Sequence, residues 1–396
     1  MFETRRGKLN HLNVVTLISL GWFLILGIRY VIPALLPEIV LEFSISNTMA
    51  GFAITALWLS YAIAQFPSGV LIDWFKERTV LLLSLLLTVL SLLLFGSSVT
   101  FAIFFMGCLL YGWGSGFYGT PRATVLSRTF PDNSGIAIGT VLAVGSVGAA
   151  VLPVGATFVA NSIHWRVPFL LLVPALLVVC VGVAYVLPKE RMKRDSSPSI
   201  RIDSSLVSAL GSALVDRRIF PAAAAASLMT FTFQALTAFF PIYLVMTKSI
   251  SPALAAALFG ILFVSGAVVQ PVSGVLADRI GYRRTLIAMS GGSILPFVAL
   301  PFSETVAVIT VLALLFGLQQ GIVPVNNAYT VQSLPEELQG SAWGFIRTLM
   351  FAIGSLGSLF LGILFDMELY DEAILSLAII AIVTMLLYRG LPKNDV

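Results

Sequence analysis

The chain has 396 residues, 58% of them hydrophobic and 11% charged, with a formal net charge of +4. That is more apolar material than one water-soluble core can bury, so the composition excludes a soluble domain and defines a polytopic membrane protein. The apolar runs are too long and too unalternating for barrel strands, and only helices satisfy their own backbone hydrogen bonds in lipid. Cys108 and Cys180 lie in separate apolar stretches, and His11 and His164 lie near helix ends. No metal or disulfide constellation can be assembled from them, and no cofactor is expected. The first apolar run is long enough to span and lacks a small-residue cleavage site, so no cleavable signal peptide is expected.

Hydrophobic runs read against Gly, Pro and charge breaks predict twelve spans of about 20 residues or more. They lie near residues 13–37, 48–71, 79–98, 101–127, 135–160, 166–187, 219–246, 252–277, 285–303, 305–331, 340–365 and 371–389. A charged stretch beginning at Pro188 and carrying Lys189, Arg191, Lys193 and Arg194 cannot span. The expected organisation is therefore a six-helix bundle over 1–188, a cytoplasmic linker over 189–218 and a second six-helix bundle over 219–396.

Lys and Arg placement sets orientation. With the N-terminus inside, 18 of the 23 basic residues fall on the cytoplasmic side, seven of them in the linker, while the outer loops hold only Arg166 and Lys248. Both termini are then cytoplasmic, and the protein is a multi-pass component of the cell membrane. The positive charge follows membrane topology, so it does not point to nucleic acid. Arg29, Arg122 and Arg347 are the remaining three and lie inside spans.

The halves are related in sequence. Gln65-Phe66-Pro67-Ser68-Gly69-Val70-Leu71-Ile72-Asp73 recurs 205 residues later as Gln270-Pro271-Val272-Ser273-Gly274-Val275-Leu276-Ala277-Asp278. The same offset relates Arg78 to Arg283, and Gly135 and Gly139 to Gly340 and Gly344. Parallel repeats of this kind are a transporter architecture, with the ligand site near mid-membrane.

An arginine inside a span is expensive and marks a functional site by default. The offset takes Arg29 to Gln234 and Arg122 to Asn327, polar to polar, and Asn326, Gln319 and Gln320 add amides to the same tenth span. No acidic residue sits mid-span to pair with either arginine, so the expected partner is an anionic substrate. Arg122 lies nearer the cytoplasmic end and serves either substrate or gate, with Asp73 and Asp132 as available partners. Arg347 matches a leucine, Leu142, through the repeat and is as readily a packing or gate residue as a substrate contact. Tyr30, Tyr118, Trp343, Phe239 and Phe240 are candidate cavity walls. Gln65 and Gln270 are read as interhelical hydrogen bonders near the gate.

The loop after the second span, Gly69-Val70-Leu71-Ile72-Asp73-Trp74-Phe75-Lys76-Glu77-Arg78, and its second copy, Gly274-Val275-Leu276-Ala277-Asp278-Arg279-Ile280-Gly281-Tyr282-Arg283-Arg284, carry a pattern of glycine, acid and basic residues. In this the chain resembles the major facilitator superfamily over nearly its full length. Phe75 and Glu77 depart from the family pattern in the first copy. In physical terms, Gly69 and Gly274 would let helix ends approach, and Asp73 and Asp278 would pair with Arg78 and Arg283 as a gate latch. The resemblance implies that spans 1, 4, 7 and 10 line a central cavity, which are the spans carrying Arg29, Arg122, Gln234 and Asn327. It implies alternating access as well. The fourth span lacks the arginine that many proton-coupled members carry before their Gln-Gly-x-Gly pattern.

Guanidinium forks match carboxylate and phosphate oxygens bidentately. The expected function is secondary active transport of a small anion, an organic carboxylate first, by exchange or with a coupling ion, in a unit that works as a monomer. A multidrug or general solute exporter is the alternative within transport. A membrane-embedded enzyme or a transporter-like receptor is the alternative of another class; no nucleophile–base set supports the enzyme, and the linker of about 30 residues leaves no receptor domain.

Overall fold

The computed structural model describes residues 2–188, 216–334 and 339–392, and among them the chain is helical with no strand. The helices are α1 (Phe2–Ala34), α2 (Leu36–Phe43), α3 (Asn47–Trp74), α4 (Glu77–Ser97), α5 (Phe101–Thr129), α6 (Ser134–Ser162) and α7 (Val167–Val186). After the linker come α8 (Ile219–Lys248), α9 (Pro252–Ile280), α10 (Tyr282–Gly292), α11 (Ile294–Ala299), α12 (Val306–Phe316), α13 (Leu318–Ser333), α14 (Gln339–Asp366) and α15 (Tyr370–Arg389). Linker residues 189–215 lie outside the described residues.

Among the described residues, eleven helical segments are long and apolar enough to cross a membrane. The twelfth crossing is the α10–α11 pair, which interrupts the expected ninth span at Ser293, where the backbone amide bonds back to Met289 O at 3.1 Å. The expected tenth span is likewise two helices meeting at Gly317. At the break Leu314 O accepts the Gly317 amide at 3.1 Å and, from a neighbouring helix, the hydroxyl of Ser265 on α9 at 2.6 Å. Polar side chains help satisfy backbone groups at such breaks inside lipid. Large apolar side chains stay exposed on the spans, among them Leu86 at 52% and Val178 at 70%, as helices solvated by acyl chains require.

The repeat seen in sequence governs helix placement. Helices start at Asn47, Glu77, Phe101 and Ser134, and 205 residues further on at Pro252, Tyr282, Val306 and Gln339. The shared offset carries through chemistry that differs at most positions, so the two halves repeat one topology.

The described residues form two compact units, the first drawn from Met1–Ile45, Ala56–Ser196 and Ser251–Gly260 and the second from Ser46–Thr55, Ser197–Ile250 and Ile261–Val396. In the first, α1 and α6 meet backbone to backbone, because a methyl group at Gly148 would overlap the Phe23 carbonyl oxygen and one at Gly27 would overlap the Gly148 carbonyl. Small residues at such crossings let van der Waals packing hold membrane helices together. At one end of this unit Arg166 donates to Glu42 Oε1 at 2.9 Å and to Ser98 O at 2.8 Å, tying α2, the end of α4 and the start of α7. In the second unit Asp366 accepts the backbone amides of Asn47 at 2.7 Å and Thr48 at 2.8 Å. Its core includes Ala222, Met229, Leu286, Tyr329 and Tyr388, all buried.

Candidate functional site

Three helices of the first unit build the site around Arg29. On α1, Trp22 and Arg29 are seven residues apart, two turns along one face. On α3, Trp58 and Tyr61 share a face at i, i+3, and on α5 Tyr111, Tyr118 and Arg122 follow at i, i+7 and i+11. Tyr118 donates its hydroxyl to Ile18 O at 3.0 Å and Tyr111 donates to Ile25 O, so both tyrosines clamp α5 onto α1 and have no proton left to offer a ligand.

Arg29 is 4% exposed. Its guanidinium carbon lies 4.3 Å from the Tyr61 ring centre, 4.7 Å from Trp58 and 5.9 Å from Trp22. The Trp58 and Tyr61 rings meet edge to face at 5.6 Å, which fixes the walls of this cage. Aromatic faces stabilise a cation without neutralising it, by about 2 kcal/mol when desolvated. Among the described residues Arg29 has no ion pair, and its Nε and Nη2 atoms are buried without a hydrogen-bond partner. Arg122, half-buried, places its guanidinium carbon 3.9 Å from the centre of the Trp22 ring. One indole thus faces two guanidiniums, and it stacks on Tyr118 at 6.2 Å. Two positive charges held about one ring in a low-dielectric setting favour an anion.

The remaining sequence-derived residues separate. Tyr30 is buried at 6% exposure, edge-on to Phe259 at 6.0 Å. Tyr118, Phe239 and Phe240 pack within the protein, the last two against Phe365 and Phe316, so they are packing residues. In the second unit Gln234 is 1% exposed, and neither its Oε1 nor its Nε2 has a partner among the described residues. Asn326 accepts from Tyr388 Oη at 3.2 Å and leaves Nδ2 unpartnered, while Asn327 is half-buried. Gln319 donates to Thr232 Oγ1 at 3.0 Å and leaves Oε1 unpartnered. Gln270 donates to Gln320 Oε1 at 3.3 Å, an interhelical bond of the kind expected for it.

The second copy of the loop motif is arranged differently from the expected latch. Gly69 and Gly274 have open space where a Cβ would stand, so neither serves a close helix approach here. Asp278 is exposed and makes no ion pair with a described residue; Arg283 instead donates through Nη2 to Arg389 O at 2.8 Å. That carbonyl is the negative end of α15, which attracts a guanidinium as an aspartate would. Gly281, at φ 90°, makes the left-handed turn that starts α10, whereas its counterpart Lys76 has an ordinary φ of −85°. The side chain of Asp73 lies outside the described residues, Arg78 is half-buried and Arg284 is exposed. The buried ion pair of this region joins Glu77, a departure from the family pattern, to Arg128 at the end of α5. Arg347 is half-buried, 5.7 Å from the Phe351 ring.

Sequence reading did not find Trp22, Trp58 or Tyr61. A signal for the first was present in the seven-residue spacing from Arg29; the other two sit on another helix, and spacing cannot bring them in.

A repeated set of membrane-crossing helices is the architecture of a membrane transport protein. The chain belongs to the Major Facilitator Superfamily, whose model matches residues 17–358. Its relatives include Multidrug resistance protein 2 of Bacillus subtilis, 25% identical over 90% of this chain and 89% of the relative. Another is a protein named "Probable hexose phosphate transport protein" of Chlamydia pneumoniae, 27% identical over 40% of this chain and 38% of the relative. Among solved structures, a bacterial homologue of the human lysosomal transporter Spinster, inward-facing and unoccupied, superposes with TM-score 0.81 at 14% identity, covering 98% of both chains. A point mutant of the nucleoside transporter NupG does so with TM-score 0.81 at 12% identity, covering 96% of this chain and 99% of the other. At those identities the likeness is one of fold.

Proposed function

We propose that this transporter carries a small anionic solute, an organic carboxylate first, across the cytoplasmic membrane by alternating access. The observation that supports the reading is the Arg29 guanidinium, buried to 4% exposure, walled by Tyr61, Trp58 and Trp22, with Nε and Nη2 unpartnered. Ring faces and a hydrogen bond to the Tyr111 side chain hold this charge and leave the Nε and Nη2 hydrogen-bonding capacity unspent, and a carboxylate or phosphate has the oxygen spacing to take it. Arg122 across Trp22 supplies a second charge for a dianion or for guiding entry. The partial relative named for hexose phosphate transport is in keeping with an anionic cargo.

The second reading is export of structurally varied compounds, favoured by the likeness to a multidrug resistance protein over 90% of this chain. The two separate in a thermal-shift screen of the purified protein against carboxylates, organic phosphates, neutral sugars and lipophilic cations. Ligand binding raises apparent stability by mass action. Stabilisation by anions that scales with concentration supports the first reading, and a response confined to lipophilic cations replaces it with the second. Arg122 is read as a substrate contact: saturating anion should slow thiol modification of Arg122→Cys, and an unaltered rate would assign it to the gate.

A further inference from the structure

In the second unit an apolar groove of about 680 Å³ runs between α8 and α14. Phe220, Ala224 and Ser227 line it from one helical stripe, and Ile346, Leu349 and Ile353 from the other. Ser227 spends its hydroxyl proton on Ala223 O at 2.8 Å, so no free polar hydrogen faces the groove. Phe220, Leu349 and Ile353 are 56%, 38% and 36% exposed, which leaves the groove open along its length.

Charge lies at one end of it. Arg217 and Arg218 are exposed immediately before α8, on the side that the positive-inside rule assigns to the cytoplasm. The Asp216 carboxylate is beside them and accepts the Arg218 backbone amide at 2.7 Å. Arg347 adjoins Ile346. Ile219 and Ala223 pack in one cluster with Ala342 and Ile346, so Arg347 stands level with the second turn of α8, somewhat deeper than Arg218. None of the three arginines is ion-paired with a described residue. The Arg347 guanidinium lies 5.7 Å from the Phe351 ring, and its long side chain can be redirected toward the interface while its stem stays in apolar surroundings.

We propose that this groove binds an anionic phospholipid of the cytoplasmic leaflet, one acyl chain filling it and the phosphate held by Arg217, Arg218 and Arg347. An open apolar groove on two spanning helices is solvated by acyl chains, and basic residues between spans on the cytoplasmic side select anionic headgroups. The site is independent of the Arg29 cage.

The test is native mass spectrometry of the delipidated full chain, titrated with phosphatidylglycerol, with phosphatidylcholine of the same chains, and with glycerol phosphate. Phosphatidylglycerol should be retained in preference to phosphatidylcholine, and glycerol phosphate should not compete at equal concentration. Arg218→Gln and Arg347→Gln should each weaken phosphatidylglycerol about fivefold and leave phosphatidylcholine unchanged. Ala224→Trp should fill the groove and abolish the preference; Leu349→Trp, at the more exposed rim, is the second variant should the first fail to fold. Equal retention of the two lipids by the wild type, or unaltered phosphatidylglycerol binding in the filled-groove variant, would overturn the proposal. Competition by glycerol phosphate would reassign the site to free anions, and displacement of the lipid by a transported anion would reassign it to the transport pathway; either result also overturns it.

Discussion

Replacing Arg29 by glutamine removes a charge that is 4% exposed and lacks a hydrogen-bond partner at Nε and Nη2 among the described residues. Two effects of opposite sign follow. Without ligand, the variant is relieved of an ion whose burial costs roughly 2.5–3.5 kcal/mol near the centre of a spanning helix on insertion scales. It also loses contact with the Tyr61 and Trp58 rings at 4.3 and 4.7 Å, worth about 2 kcal/mol. The hydrogen bond to the Tyr111 side chain is lost as well, worth about 1.5 kcal/mol, so the terms nearly cancel and the ligand-free protein should unfold close to the wild-type temperature. With ligand, truncating one partner of a buried charge pair costs about 2–5 kcal/mol. At about 1.4 kcal/mol per tenfold, that is a roughly 30- to 4,000-fold rise in Kd. The assay is thermal unfolding with and without the stabilising anion, followed by uptake in proteoliposomes. Arg29→Lys keeps the charge and loses the planar fork, so it should fall between. Wild-type affinity and transport in Arg29→Gln would refute the reasoning. A loss of about 3 kcal/mol or more in the ligand-free protein, as for a core cavity, would do so too, by making the arginine structural.

Other outcomes follow from the same structure. Glu38, just beyond the first span, has both carboxylate oxygens buried without a partner among the described residues, and burial pushes its pKa above the usual carboxylate value of 4.5 while its own backbone amide works against this. A folded-state pKa raised above the unfolded one gives stability that is complete below the unfolded pKa and is lost as pH rises through the folded one. Glu38→Gln should therefore raise the melting temperature at pH 7 and leave it unchanged near pH 4, as differential scanning fluorimetry across pH will show. At the buried pair, Arg128→Ala should cost about 3–5 kcal/mol by stranding Glu77, and the double variant with Glu77→Gln should recover part of it in denaturant unfolding. Gly148→Ala drives a methyl into the Phe23 carbonyl and should cost about 1–3 kcal/mol, whereas Gly119→Ala, with open space at its Cβ, should be near neutral by the same measurement.

Fold and topology were largely legible in the sequence because they rest on long apolar runs and on a repeat whose offset also sets the helix starts. The breaks at Ser293 and Gly317 were not, since hydropathy averages over a residue or two and the contact from Ser265 comes from another helix. Arg29 was legible as a charge that lipid penalises. Its cage was not, because Trp58 and Tyr61 are brought to it by helix packing. The motif shows the limit of pattern reading most clearly. Gly281 keeps its turn, but Arg283 prefers the carbonyl end of α15 to Asp278, and the ion pair formed among the described residues there uses Glu77, which departs from the family pattern, and Arg128, 51 residues away.

The rings that hold Arg29 also deny it freedom to swing. With Tyr61 and Trp58 within 5 Å of the guanidinium carbon, and those two rings meeting edge to face, the walls on that side limit how far the charge can shift toward a smaller guest or away from a larger one. A cation on a loose tether would accept anions of many radii at similar cost. One fixed in place acts as a ruler: a small hydrated ion must give up its water to reach two unpartnered nitrogens with too few oxygens to repay them, while a group presenting two oxygens at fork spacing meets both at once. For the proposed anionic cargo, selectivity would come from the stiffness of the aromatic walls, and softening them, as in Tyr61→Leu, should broaden the range of anions accepted before it lowers the affinity for any one.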